Sequence, residues 1–165
     1  MVHDDKQDDI EILLVEDNAS DEALTLRVFN WFNIANKVYV VRDGAEALEY
    51  IFCTGVYVGR KVENPKVILL DLNLPKIGGV EVLRRIRSDD RTRQVPVVIL
   101  TSSYEDRDAI ETDKLGVNSF IIKPFDINQF NEVARRLGYY RLLLTQQPAC
   151  VNSCSSEINT QVVGV

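Results

Sequence analysis

Val67-Ile68-Leu69-Leu70-Asp71 sets four aliphatic residues in a row and ends them on a carboxylate. An unbroken apolar run of this length predicts a strand buried on both faces, since a sheet with one wet face alternates apolar and polar residues. The pattern recurs four times. Ile12-Leu13-Leu14-Val15 ends at Glu16-Asp17, Val38-Tyr39-Val40-Val41 at Arg42-Asp43, Val95 to Leu100 at Thr101-Ser102, and Phe120-Ile121-Ile122 at Lys123. Between the runs lie stretches of helical spacing, such as Ala23, Leu26, Arg27 and Asn30 interleaved with Leu24, Val28 and Trp31, or Ala47, Leu48 and Ile51. Strand and helix alternating with right-handed crossovers predict an α/β fold, a doubly wound five-stranded parallel sheet. Ligands of such sheets sit beyond the carboxyl ends of the strands, where the winding reverses. The polar residues that end the runs fall at that edge.

The chain has 165 residues, enough for one well-buried core and short for two. Apolar residues make up 45 % and charged residues 27 %, which places it among ordinary globular chains, and a net charge of −6 argues against a nucleic-acid surface. No signal peptide and no membrane span is legible, so a cytoplasmic location is expected. Residues 1–9 read as a disordered acidic arm, 10–145 as one domain and 146–165 as a disordered Ser/Asn/Gln-rich tail. Phe130, Val133, Ala134 and Leu137 mark a last helix, expected to continue to about Leu144 although Gly138 costs it about 1 kcal/mol. Its extension carries Tyr139, Tyr140, Leu143 and Leu144, an apolar stretch expected to form a homodimer interface. Cys53 is expected to be a small buried hydrophobe, Cys150 and Cys154 lie in the tail, and His3 has no partner.

Glu16, Asp17 and Asp71 gathered at one sheet edge cannot all stay ionised unaided. Two carboxylates about 4 Å apart repel by about 4 kcal/mol at an effective dielectric of 20. A hard dication resolves the conflict, and Mg²⁺ suits it because it takes one or two carboxylates together with a phosphate. Lys123 and Thr101 reaching the same place would serve as phosphate ligands. The set describes a site for phosphorylating Asp71. Taken singly, the residues have plainer readings: Glu16-Asp17, Ser20 or Asp21 as helix caps, Thr101 as the N-cap of a helix near Glu105, and Phe120 as core. Arg84, Arg85, Arg87, Arg91 and Arg93 alternate with Glu81, Asp89 and Asp90, which reads as a solvated helix face.

Leu13 to Asn18, Leu69 to Pro75, Gly78-Gly79, Leu100-Thr101-Ser102 and Lys123-Pro124, in that order, resemble the receiver domain of two-component response regulators over about Ile10 to Leu137. The long Gly55 to Pro65 loop, Asp71 to Lys76, and a last helix running through Tyr139-Tyr140 are similar to the stand-alone regulators paired with cyanobacterial phytochromes. The resemblance implies a flavodoxin-like receiver fold and Asp71 as phosphoacceptor. It implies Mg²⁺ held by Asp17, by Asp71, by the Asn73 carbonyl and by Glu16 through water. Asn73, Ser102, Thr101 and Lys123 would bind the phosphoryl group, with Lys123 directed by a cis bond to Pro124. Thr101 and Phe120 would be the switch pair, the hydroxyl gaining on phosphorylation a partner that it lacks at rest. The implied partner is a sensor histidine kinase, by the finer resemblance a phytochrome, and the implied output is protein binding by a homodimer. Such a protein catalyses only its own phosphorylation and dephosphorylation. Too few residues follow Leu144 for a DNA-binding domain. The competing readings are a Mg²⁺-dependent phosphohydrolase of the haloacid-dehalogenase type, whose nucleophile should follow the first strand, and a flavodoxin-like FMN binder, whose phosphate Glu16-Asp17-Asn18 would repel.

Overall fold

A computed structural model describes residues 12–31 and 37–136. Five strands, β1 (Ile12–Val15), β2 (Val38–Val41), β3 (Val67–Asp71), β4 (Val97–Thr101) and β5 (Ser119–Ile122), form one parallel sheet in the order β2-β1-β3-β4-β5. Five helices intervene: α1 (Ala19–Trp31), α2 (Gly44–Phe52), α3 (Gly79–Ser88), α4 (Tyr104–Asp113) and α5 (Ile127–Arg136). The fold is the expected doubly wound sheet. The chain steps from β1 outward to β2, then crosses to the other side of β1 for β3, so the winding reverses between β1 and β3.

Period-two alternation within each apolar run divides the core. Leu13, Val15, Ile68, Leu70, Val97 and Ile99 pack against α2 and α3 on one face, through Ala47, Leu48, Ile51, Val82, Leu83 and Ile86. Ile12, Leu14, Val67, Leu69, Val98 and Leu100 meet Val28 and Phe29 of α1 and Phe130 and Val133 of α5 on the other. Because both sets are buried, every strand residue of β1, β3 and β4 is buried, which is why these runs do not alternate in sequence.

Four expectations need correction. The buried face of α1 is Thr25, Val28 and Phe29, and Trp31 is 71 % exposed, because the face turned to the sheet lies one residue away from the stripe read in the sequence. β4 begins at Val97, since Pro96 has no N–H to enter the ladder, although its carbonyl accepts from Ile68 N at 2.9 Å. Cys53 is only half-buried and serves as the left-handed cap of α2, with φ 55° and its backbone N–H turned to the Glu49 and Tyr50 carbonyls. Arg87 leaves the solvated arginine face. Its guanidinium donates to the carbonyls of Gly116, Arg93 and Val95 and to Asn118 Oδ1, tying the β5 approach to the end of α3. Burial lowers its pKa, yet a fork of five donors stays charged and suits this carbonyl cluster. Arg85, Arg91 and Arg93 do pair with surface acids, as read.

His3, the arm, Cys150, Cys154, the tail, and Tyr139, Tyr140, Leu143 and Leu144 of the expected dimer interface lie outside the described residues. Among the described residues no helix is long and apolar enough to cross a membrane.

Candidate phosphoryl-acceptor site

At the reversal point the ends of β1 and β3 are neighbours, Val15 beside Leu70. Glu16 and Asp17 therefore leave β1 next to Asp71. β4 and β5 then bring Thr101 beside Ile122, one residue before Lys123. The Lys123 backbone N–H donates to the Thr101 carbonyl at 2.7 Å, and the Lys123–Pro124 peptide bond is cis.

The Lys123 ammonium donates to Asp21 Oδ2 and Asp71 Oδ2, both at 2.8 Å, and forms a third ion pair with Glu16 Oε2 at 2.9 Å. Burial works against this ammonium, but the accepting carboxylates of Asp21, Asp71 and Glu16 outweigh it and hold its pKa above the ordinary lysine value. Lys123 stays protonated at any physiological pH. In the sequence Asp21 reads only as a cap candidate, and no local spacing marks it for the site, since α1 begins at Ala19 and Asp17 lies outside it. The cap of α1 is instead Asn18, whose Oδ1 accepts from Ser20 N and Asp21 N. Neither Glu16 nor Asp17 is consumed in capping.

Glu16 is fully buried, and its Oε1 accepts from Asn18 N. Its Oε2 has the Lys123 ammonium nearby but no aligned donor. Asp71 Oδ1 accepts from Asn73 N at 3.0 Å. One carboxylate oxygen from each of Glu16, Asp17 and Asp71 lies within 4.8 Å of the others, and Asp17 and Asp71 line an open cleft of about 830 Å³. Asp21, Asn73, Ser102 and Lys123 also line this cleft. An all-oxygen donor set with a buried acceptor lacking an aligned donor fits a hard dication, which needs no proton from its ligands.

Thr101 is fully buried at the end of β4 and does not cap α4. Its Oγ1 accepts from Ser103 N, while Ser103 Oγ accepts from Glu105 N and Asp106 N. Nor does its hydroxyl lack a partner: it donates to Asp106 Oδ2 at 3.1 Å. That contact corrects the expectation of an unengaged switch hydroxyl. Phe120 is half-buried, with the Arg107 guanidinium carbon 5.3 Å from its ring centroid. Asp106 and Arg107 carried no sequence signal, because their relevance depends on where the first turn of α4 comes to rest.

Burial first, then the hydrogen bond shared with Asp71, pushes the Glu16 carboxyl from 4.5 up to about 7, against the pull of Lys123 and Asn18. A carboxyl that holds its proton more tightly folded than unfolded costs stability as pH rises between its two pKa values. The window here runs from 4.5 to about 7, with no further loss above it. At about 1.4 kcal/mol per pKa unit, the metal-free protein is expected to lose about 3 kcal/mol across that window. Glu16→Gln is expected to abolish the loss. Urea melts in chelator at pH 5 and pH 7.5 check this, and an equal or higher midpoint at pH 7.5 would contradict the sign.

A doubly wound α/β protein with three clustered carboxylates, a lysine paired with two of them and a hydroxyl at the next strand end defines a class of small phosphoacceptor modules. The response regulator receiver domain family matches residues 12–135, and the chain belongs to it. This is a family of signalling domains. The probable methanogenesis regulatory protein FilR2 of Methanothrix harundinacea is 35 % identical over 86 % of the chain and 90 % of its own length. The response regulator Rcp1 of Synechocystis is 33 % identical over 84 % of the chain and 92 % of its own length. Rcp1 has been solved in a Mn²⁺-bound form, which superposes with a TM-score of 0.63 at 34 % identity over 81 % of this chain and 93 % of that one. The bacteriophytochrome response regulator AtBRR superposes with a TM-score of 0.73 at 49 % identity over 77 % and 91 % of the two chains. The chain is thus a receiver-domain response regulator similar to those of phytochromes.

Proposed function

We propose that this response regulator takes a phosphoryl group onto Asp71 from a phytochrome-type sensor histidine kinase and signals by a change of surface that a protein partner reads. The observation that carries the reading is Lys123 held at 2.8 Å from Asp71 within a cluster of carboxylates. A carboxylate oxygen of Asp71 forms the new O–P bond while the bond from phosphorus to the donor's nitrogen breaks, its electron pair leaving with the donor. Lys123 stands beside the nucleophile to neutralise the phosphoryl oxygens, and Ser102 and Asn73 border the path of entry. Glu16, Asp17 and Asp71, with the Asn73 carbonyl, would hold Mg²⁺ or Mn²⁺, and the ion would supply charge neutralisation at the same oxygens. The phytochrome assignment is supported by the names of the relatives, among them AtBRR at 49 % identity.

Incubation with acetyl phosphate and Mg²⁺ is expected to yield one acid-labile phosphate per chain, and EDTA to prevent it. Acid-stable label, or label indifferent to chelation, would rule out an aspartyl phosphate in this pocket. The sequence stripe through Tyr139, Tyr140, Leu143 and Leu144 supports a homodimer as the signalling unit. Sedimentation at micromolar concentration, with and without a phosphoryl mimic, should show a dimer in at least one condition; monomer in both refutes that part.

A further inference from the structure

The first turn of α4 touches both members of the proposed switch pair with consecutive residues. Asp106 Oδ2 receives the Thr101 hydroxyl at 3.1 Å, and Arg107 lies over the ring of Phe120. A threonine hydroxyl has one proton to donate. Here the lone pair side is taken by Ser103 N at 3.1 Å, and the proton faces Asp106, with the Ser103 carbonyl a poorer acceptor at 3.4 Å. Thr101 is fully buried and Asp106 is half-buried, so water competes weakly for this bond, and a charged acceptor strengthens it.

We infer that Asp106 and Arg107 form a resting-state latch, in which Asp106 holds the Thr101 hydroxyl away from Asp71 and Arg107 holds the Phe120 ring in its half-buried position. The inference rests on the reading of Asp71 as acceptor. β3 and β4 are paired, with Asp71 beside Leu100, so phosphorylation would place new acceptor oxygens one residue from Thr101. The single hydroxyl proton cannot serve both. Phosphorylation must therefore outcompete Asp106, and the energy of the resting contact sets how much of the population switches. Asp106 acts through Thr101 and is a positioning residue.

The plainer role of Asp106 is as an acid in the first turn of a helix, favourable there whatever Thr101 does. The two roles separate in a double-mutant cycle on the full chain, using beryllofluoride with Mg²⁺ as the phosphoryl mimic and calorimetry as the readout. Asp106→Ala is expected to half-saturate at about fivefold lower beryllofluoride than the wild type, at the low end of ordinary coupling strengths. In a Thr101→Val background the same substitution should give no gain. Asp106→Asn, which preserves shape and an uncharged acceptor, should give a smaller gain and guards against a folding defect in the alanine variant. Arg107→Ala should likewise tighten binding, and not in a Phe120→Ala background. Unchanged or weaker binding in Asp106→Ala and Asp106→Asn, or an equal gain without the Thr101 hydroxyl, would overturn the latch. If the wild type itself takes up no beryllofluoride, the acceptor reading fails, and the latch falls with it.

Discussion

Asp71→Asn is expected to bring acid-labile phosphate down to the background of a no-protein control after treatment with acetyl phosphate and Mg²⁺. An amide has the volume of the carboxylate but no anionic oxygen to attack phosphorus, so the O–P bond cannot form there. Three features make the expected effect complete. Asp71 is buried at the strand end and holds one oxygen on Asn73 N and the other on Lys123, which orients it. Glu16 also faces Lys123 but is fully buried and does not line the cleft, so it is a poor substitute nucleophile. Asp21 is committed to Lys123 on the α1 side of the cleft. The variant should stay folded, because Lys123 keeps two of its three carboxylates. Undiminished labelling in Asp71→Asn would move the acceptor to another residue and remove the basis of the proposed chemistry.

Gly79→Ala is expected to destabilise the protein by about 3 kcal/mol and to impair labelling with it, whereas Gly78→Ala next door should cost under about 1 kcal/mol. A Cβ on Gly79 would stand 2.3 Å from the Asp71 carbonyl oxygen and 2.7 Å from the Leu72 Cα, both of them backbone. Backbone cannot swing aside as a flexible side chain can, so α3 or the end of β3 must shift. The Gly79 N–H also donates to the Leu72 carbonyl at 3.0 Å, which fixes the helix start directly under the acceptor residue. At Gly78 an added Cβ meets nothing within 4 Å, and its φ of −67° is open to any residue. Chemical denaturation of the two variants measures the contrast. Equal stabilities would mean that the close approach of α3 to Asp71 is not what this position requires.

The five strands and their carboxyl ends were legible because each carries an apolar run closed by a polar residue, a signal that needs no knowledge of neighbours. Helix faces were less legible. In α1 the residues Leu24, Leu26, Val28, Phe29 and Trp31 offer more than one apolar stripe, and which of them is covered depends on where the sheet lies. Arg87 shows the same limit among polar residues. Nothing local separates it from Arg84 or Arg85, and only the approach of residues 93–95 and 116–118 gives its guanidinium carbonyls to bind. Cys53 looked like a core residue from its apolar context, yet α2 needed a left-handed cap at that point.

Sequence alone determined the strands, the class of the sheet and the chemistry waiting at its carboxyl edge, because hydrophobic periodicity and charge are properties of short segments. Tertiary structure alone decided which acids share Lys123. Lys123 meets Asp71 across 52 residues of chain and Asp21 across 102, whereas Thr101 meets Asp106 five residues on, through the turn from β4 into α4. Those contacts rest on angstrom-scale placement, and the crossovers and packing that supply it belong to the whole fold rather than to any segment of it.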